Sequence, residues 1–279
     1  MDAKSDWFRI AEIGTGAFVI EERYHVQSYL VNGTDRSALI DTGMGFRNIR
    51  EAIQPLLLDD VIVLNTHWHF DHVGGNALFD ERGISPLERT LVEKGWRNST
   101  LMDLHVESCL SQGIPLPRGF VPEEYEIAGT CPTFEIRDGD RFELGGRTLE
   151  AISTPGHTHG SLSFLDTSTR SLFCGDWIDK GTLFAHFEDS DLDEYVGSFQ
   201  RVAEREREFD SIYPGHGLRP LDRAFLASVR EGFDEINAGR LRPALFDEEG
   251  NPTQFFRFDE FCVLVKVPGS RGVRLNPFA

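Results

Sequence analysis

The segment Thr66-His67-Trp68-His69-Phe70-Asp71-His72-Val73-Gly74-Gly75 places three histidines and an aspartate within six positions. His67, His69 and Asp71 are two apart, so in extended chain they project to one side, while His72 points elsewhere. A strand end that turns here could offer His67 and His69 to one metal ion and Asp71 and His72 to a second. Imidazole and carboxylate without thiolate suit zinc first, then iron, manganese or cobalt. Four ligands do not complete two sites. Three further candidates lie downstream, each in a glycine-containing turn after a strand-like run: His157 in Thr154-Pro155-Gly156-His157, Asp176 in Gly175-Asp176, and His216 in Tyr213-Pro214-Gly215-His216. Glycine allows close approach of the backbone and positive φ.

The elements that must position these residues can be read from periodicity. Ala17–Glu21 and Gln27–Val31 are strand-like, Asn32-Gly33 signals a hairpin, and Ser37–Asp41 and Val61–Leu64 are short buried strands. Phe46 to Leu58 reads as a helix. Short strands return from 135 to 175. A helix with apolar positions Leu192, Tyr195, Val196, Phe199 and Val202 follows, with Ser190 and Asp193 resembling a capping box. A second runs from about Leu221 to Ile236, with Gly239 at its end. The tail returns to strand at Cys262–Val265. Residues 80–134, broken by five prolines, read as a helical insertion packed over something rather than a separate domain. Strands, helix, strands and helices in that order give two α/β halves with helices outside.

Composition excludes several classes. The 279 residues carry 28 basic and 46 acidic side chains, a net charge of −18. Such a chain repels phosphate at long range, which opposes general binding to nucleic acid. The four cysteines form no CxxC pair, so a thiolate zinc knuckle is not expected and mostly buried, reduced thiols are. The start Met1–Asp6 lacks a signal-peptide pattern, and no apolar run is long enough for a membrane helix. A cytoplasmic protein is the expectation.

Leu39-Ile40-Asp41-Thr42-Gly43, HxHxDH, TPGHT, GD and PGHG stand in an order that resembles the metallo-β-lactamase superfamily, over about residues 12–217. The resemblance implies an αββα sandwich, here one domain over 1–279 with the 80–134 insertion over the active site and a C-terminal helix and strands in 218–279. It implies a first metal site of His67, His69 and His157, a second of Asp71, His72 and His216, Asp176 bridging both, and Asp41 behind the ligands. Two zinc ions are expected, with iron or manganese as alternatives. The implied chemistry is attack of a metal-bridging hydroxide on a carbonyl, with Asp71 or Asp176 moving the proton.

Short stretches at Ile20–Arg23, Asp41–Arg47 and Glu194–Gly197 are similar to an acyl-coenzyme A hydrolase branch, which favours a thioester of coenzyme A or glutathione. A lactone or ester hydrolase, a β-lactamase-like amide hydrolase and a non-enzymatic metal scaffold are the alternatives. That branch and the lactonases carry a tyrosine three residues after the bridging aspartate, where this chain has Asp179. Trp68, Asp179 and His186 are pocket candidates, although packing is the first reading for Trp68 and plain surface for His186. His159 is expected at the surface or behind the ligands, and Trp96 and Phe120 in a lid or a cover of the core. A small-molecule substrate is expected, without nucleic acid or membrane; a homodimer is allowed.

Overall fold

The computed structural model describes residues 7–23, 26–58, 60–97, 100–217, 219–248 and 251–274. The start Met1–Asp6 and His25 lie outside these residues. The chain divides into two compact units.

The first unit comprises the described residues up to Ile136 together with Glu143–Gly146. It holds a seven-stranded sheet in sequence order: β1 (Phe8–Gly14), β2 (Ala17–Glu22), β3 (Val26–Asn32), β4 (Ser37–Ile40), β5 (Val61–Leu64), β6 (Glu81–Ile84) and β7 (Phe134–Glu135). β1 to β4 are antiparallel neighbours and β4 to β7 parallel ones. β4 (Ser-Ala-Leu-Ile) and β5 (Val-Ile-Val-Leu) are buried at every position, as short, mostly apolar strands in the parallel part of a sheet should be. Beside the sheet run α1 (Ile49–Ile53), α2 (Phe70–Val73), α3 (Arg89–Lys94) and α4 (Thr100–Ser111).

Two expectations change here. The helix expected over Phe46–Leu58 is only the five residues of α1, capped by Asn48 and followed by a 3-10 turn at Gln54–Leu56. Phe46 is held away from it, its ring packed on Trp7, Phe120 and Tyr125. The stretch read as a helical insertion begins and ends in the sheet, because β6 pairs with β5 and β7 with β6.

The second unit comprises Arg137–Phe142 and Arg147–Arg274. One sheet has the order β13 (Ser211–Pro214), β11 (Ser171–Gly175), β10 (Leu162–Asp166), β9 (Thr148–Ser153), β8 (Arg141–Glu143). A four-stranded sheet has the order β12 (Thr182–Ala185), β16 (Cys262–Lys266), β15 (Asn251–Arg257), β14 (Ala244–Glu248). The core of this unit joins β11 and β12 to α5 (Leu192–Glu204) and α6 (Arg223–Asn237) through Trp177, Tyr195, Phe199 and Phe233. Asp191, not Ser190, caps α5, its carboxylate accepting the Glu194 amide. Ser190 is spent elsewhere, donating its hydroxyl to the His157 carbonyl at 2.7 Å. Gly239, at φ +66°, follows the C-cap of α6.

Candidate metal centre

β5 delivers the chain into Asn65-Thr66-His67-Trp68-His69, where it turns: His69 is extended at φ −60°, ψ 149°, and α2 starts at Phe70. Asp71 and His72 therefore sit on a helical turn, while His67 and His69 precede it. All four are buried. The rings of His67 and His69 are 4.5 Å apart, and those of His67 and His72 are 4.2 Å apart.

Asp41 follows β4 and orients two of these rings. It has φ +59°, a left-handed conformation that aspartate tolerates better than most residues. Its Oδ1 accepts the Thr66 amide at 2.7 Å, and its Oδ2 accepts the Thr66 hydroxyl at 2.7 Å. Its Oδ2 also lies 2.8 Å from His72 Nδ1. An ionised carboxylate can only accept, so His72 carries its proton on Nδ1 and presents a lone pair at Nε2. The Thr66 hydroxyl has spent its one proton on Asp41, so at 3.0 Å from His67 Nδ1 it accepts from that ring. One carboxylate thus sets two tautomers, one directly and one through a threonine.

Glu22, at the end of β2, pins the same loop from the far side. It is 2% exposed. Its Oε1 accepts Trp7 Nε1 at 2.8 Å and its Oε2 accepts the Met44 amide at 2.7 Å. Burial raises its pKa to about 7, against the lowering effect of its donors Trp7, Met44 and Phe46; Asp71 adds a smaller rise. Tyr125 donates its hydroxyl to the Met44 carbonyl. Asn76 closes the arrangement, bonded to Thr42 and Asn65.

In the second unit, His157 stands in the turn after β9. Gly156 before it has φ +140°, and a Cβ there would lie 2.4 Å from the Tyr195 ring, so this position must be glycine. His157 Nδ1 is 3.0 Å from the Phe184 carbonyl, which can only accept; the lone pair is again on Nε2. Asp176 and His216 leave the C-terminal ends of β11 and β13, parallel neighbours tied by a 2.7 Å bond from the Gly215 amide to the Gly175 carbonyl. Asp176 Oδ2 lies 3.6 Å from His157 Nε2 and 3.3 Å from His216 Nε2. Each unit thus gathers its own donors, His67, His69, Asp71 and His72 in the first and His157, Asp176 and His216 in the second. Nitrogen and oxygen donors alone, with three imidazoles fixed as Nε2 donors, fit divalent metal.

The remaining candidates are placed as follows. Trp68 is buried and stacked on Trp96 at 4.5 Å and 21°, with its carbonyl accepting Trp96 Nε1. Trp96 is itself fully buried and belongs to the core. Phe120 packs on Phe46 and Tyr125. Asp179 is buried, which raises its carboxyl to about 7; His216 opposes this and Asp176 adds to it. His186 was expected at the surface but is 1% exposed, and burial lowers its pKa to about 4. His159 is exposed and lies 2.7 Å from Glu194. Of the cysteines, all free, Cys109 and Cys174 are buried but Cys131 is exposed and Cys262 intermediate, fewer buried than expected. Sequence reasoning missed Glu22, Thr66 and Asn76. Thr66 adjoins the motif, but nothing in local spacing links Glu22 to Met44.

The model of the metallo-beta-lactamase superfamily matches residues 22–216. The chain belongs to the metallo-beta-lactamase superfamily. This superfamily member is similar to the human acyl-coenzyme A thioesterase MBLAC2, 28% identical over 230 residues that span 76% of this chain and 81% of the relative. A hydroxyacylglutathione hydrolase of Synechococcus is 25% identical over 227 residues, 81% of this chain and 77% of the relative. A probable metallo-hydrolase of Methanocaldococcus jannaschii is 30% identical over 210 residues, 70% of this chain and 88% of the relative. Among solved structures, a metallo-beta-lactamase from Pontibacter korlensis matches with a TM-score of 0.60 at 18% identity, over 81% of this chain and 99% of that one. The metallo-beta-lactamase α/β sandwich expected from the motifs is therefore the fold, and the chain is a metallo-hydrolase. Among the described residues no helix is long and apolar enough to cross a membrane.

Proposed function

We propose that the chain hydrolyses acyl thioesters of a small thiol carrier, as a single catalytic domain over residues 1–279. One observation carries this reading. Two relatives that each align with more than three quarters of the chain are named for thioester substrates, an acyl-coenzyme A and a hydroxyacylglutathione. The donor set supports it, since imidazoles and carboxylates of this kind can hold divalent metal that activates water for attack on a carbonyl.

His67, His69 and His157 would hold one metal ion, and Asp71, His72 and His216 the other, with Asp176 shared; zinc is the proposed ion. Bound, the ions would polarise the thioester carbonyl and acidify a water. The residues of the chain do the rest. Asp41 and Thr66 keep the protons of His72 and His67 on Nδ1, so that both rings meet the site as neutral donors. The Phe184 carbonyl does the same for His157. Asp71 and Asp176 are the carboxylates placed to take and return the proton during acyl transfer. Asp179 adds a buried carboxyl beside Asp176 and His216.

The test is thiol release from a panel of acyl-coenzyme A and glutathione thioesters by zinc-loaded protein, with Asp176→Ala as control. Release that varies with acyl length and vanishes in the variant supports the reading. Protein shown to hold two metals that releases no more thiol than the variant sinks it.

A further inference from the structure

Next to the loop that carries Asp41 lies a cavity of about 530 Å³, lined by Phe8, Phe46, Arg47, Glu51 and Gln54 among others. Its volume is within the range of small-molecule sites, roughly 300–1,000 Å³. Phe46 is a fixed wall: its ring is buried, with Phe120 at 4.5 Å and Tyr125 edge-on at 4.6 Å. Arg47 is half-buried and makes no hydrogen bond or ion pair among the described residues. Its guanidinium is thus open to a ligand in the cavity, whereas those of Arg36, Arg89, Arg170, Arg205 and Arg240 are spent on carboxylates. The one carboxylate in the lining, Glu51, is engaged by Asn48 Nδ2 at 3.2 Å.

An unspent guanidinium beside aromatic walls suits a phosphate carried on a flat, apolar group: the fork binds the anion and the rings take the flat face. We propose that this cavity is a binding site for the nucleotide end of a phosphorylated thiol carrier of the coenzyme A kind. This rests on the thioester reading and deepens it, since it names the carrier. The two phenylalanines favour a nucleotide over glutathione, which has no aromatic group to place on them. The position fits as well. Phe46 and Arg47 directly follow the loop whose Gly43 carbonyl accepts the Gly74 amide and whose Thr42 amide donates to the His72 carbonyl. A carrier held at Arg47 is thus one loop away from a ligand residue.

The experiment is calorimetric titration of free coenzyme A, which cannot be turned over, into wild type, Arg47→Ala, Arg47→Lys and Phe8→Ala, with reduced glutathione as second probe. Coenzyme A should bind wild type and weaken with salt. Arg47→Ala should weaken it by about tenfold to a hundredfold, the loss of a hydrogen bond to a charged group. Arg47→Lys should restore part of that, and Phe8→Ala should weaken binding without changing its salt dependence. Equal affinity in wild type and Arg47→Ala, absence of binding, or Arg47-dependent binding of glutathione but not coenzyme A each overturns the proposal. The thioester reading stands or falls apart from this: Arg47-dependent binding without any thioester hydrolysis would leave the site and remove the activity, and hydrolysis with Arg47-independent binding would do the reverse.

Discussion

The Glu22 carboxylate accepts the backbone amide of Met44 across 22 positions of sequence, and by that bond a buried acid on β2 fixes the loop that starts at Asp41. Asp41 in turn orients His72 and Thr66. The metal-binding motif is therefore held by three successive shells: histidine, the carboxylate behind it, and the carboxylate behind the loop.

Glu22 should leave a signature in the pH dependence of stability. Burial raises it to about 7 from an ordinary 4.5. Between those values the folded state binds more protons than the unfolded state, so this group's stabilising contribution is complete below about pH 4.5, declines as pH rises and levels off above about 7. The full shift corresponds to on the order of 3 kcal/mol. Urea unfolding of wild type and Glu22→Gln across this window should give curves whose difference narrows with rising pH. Parallel curves would show that Glu22 titrates normally.

Asp41→Asn should loosen metal binding while sparing the fold. The amide presents an N–H₂ where the carboxylate now accepts from Thr66 and His72, so the His72 ring loses the partner that sets its tautomer. Loss of such a partner typically costs about tenfold to a hundredfold in metal affinity. Competition with a chromophoric chelator should show one of two zinc ions released more readily. Wild-type retention of both ions would contradict the role given to Asp41.

Gly43 stands at φ +73°, and a Cβ there would lie 2.3 Å from Glu22 Oε2. Gly43→Ala should therefore destabilise by about 1–3 kcal/mol, from backbone strain and the clash together. In a double-mutant cycle with Glu22→Ala, the clash part should disappear and the two costs should not add. Additive costs would mean that the carboxylate moves aside at no expense.

Ser190 and Asp191 are neighbours with separate tasks, and two alanine variants should separate them. Asp191→Ala removes the cap of α5 and should cost about 1 kcal/mol in thermal unfolding. Ser190→Ala removes the donor to the His157 carbonyl and should weaken zinc retention more than it lowers the melting temperature. The reverse pattern would reassign both residues.

Much of the site was legible because its chemistry is local. HxHxDH packs four donors into six positions, and each of the other three donors follows a short apolar run and a glycine turn. The strands β4, β5, β11 and β13 were readable for the same reason, as short apolar runs. What failed depended on distant partners. The helix expected from Phe46 is cut to α1 because Phe46 is drawn into a cluster with Trp7, Phe120 and Tyr125. β6 reads Glu-Arg-Gly-Ile, which carries no strand pattern, and is a strand because β5 lies beside it. His186 is buried because it directly follows β12, which is held as a strand by β16, far along the chain.

The bond between the Gly215 amide and the Gly175 carbonyl has a mechanical consequence. Asp176 and His216 are spaced by adjacent strands, roughly 4.8 Å apart, and not by the chain that runs between them. The chain between them is tied back to the site in its turn, since Tyr195 reaches the Asp176 carbonyl, Ser190 the His157 carbonyl and Phe184 offers its carbonyl to the His157 ring. The gap between the two donors is thus set by a sheet ladder, as rungs set the width of a frame, and a loop has no part in gauging it.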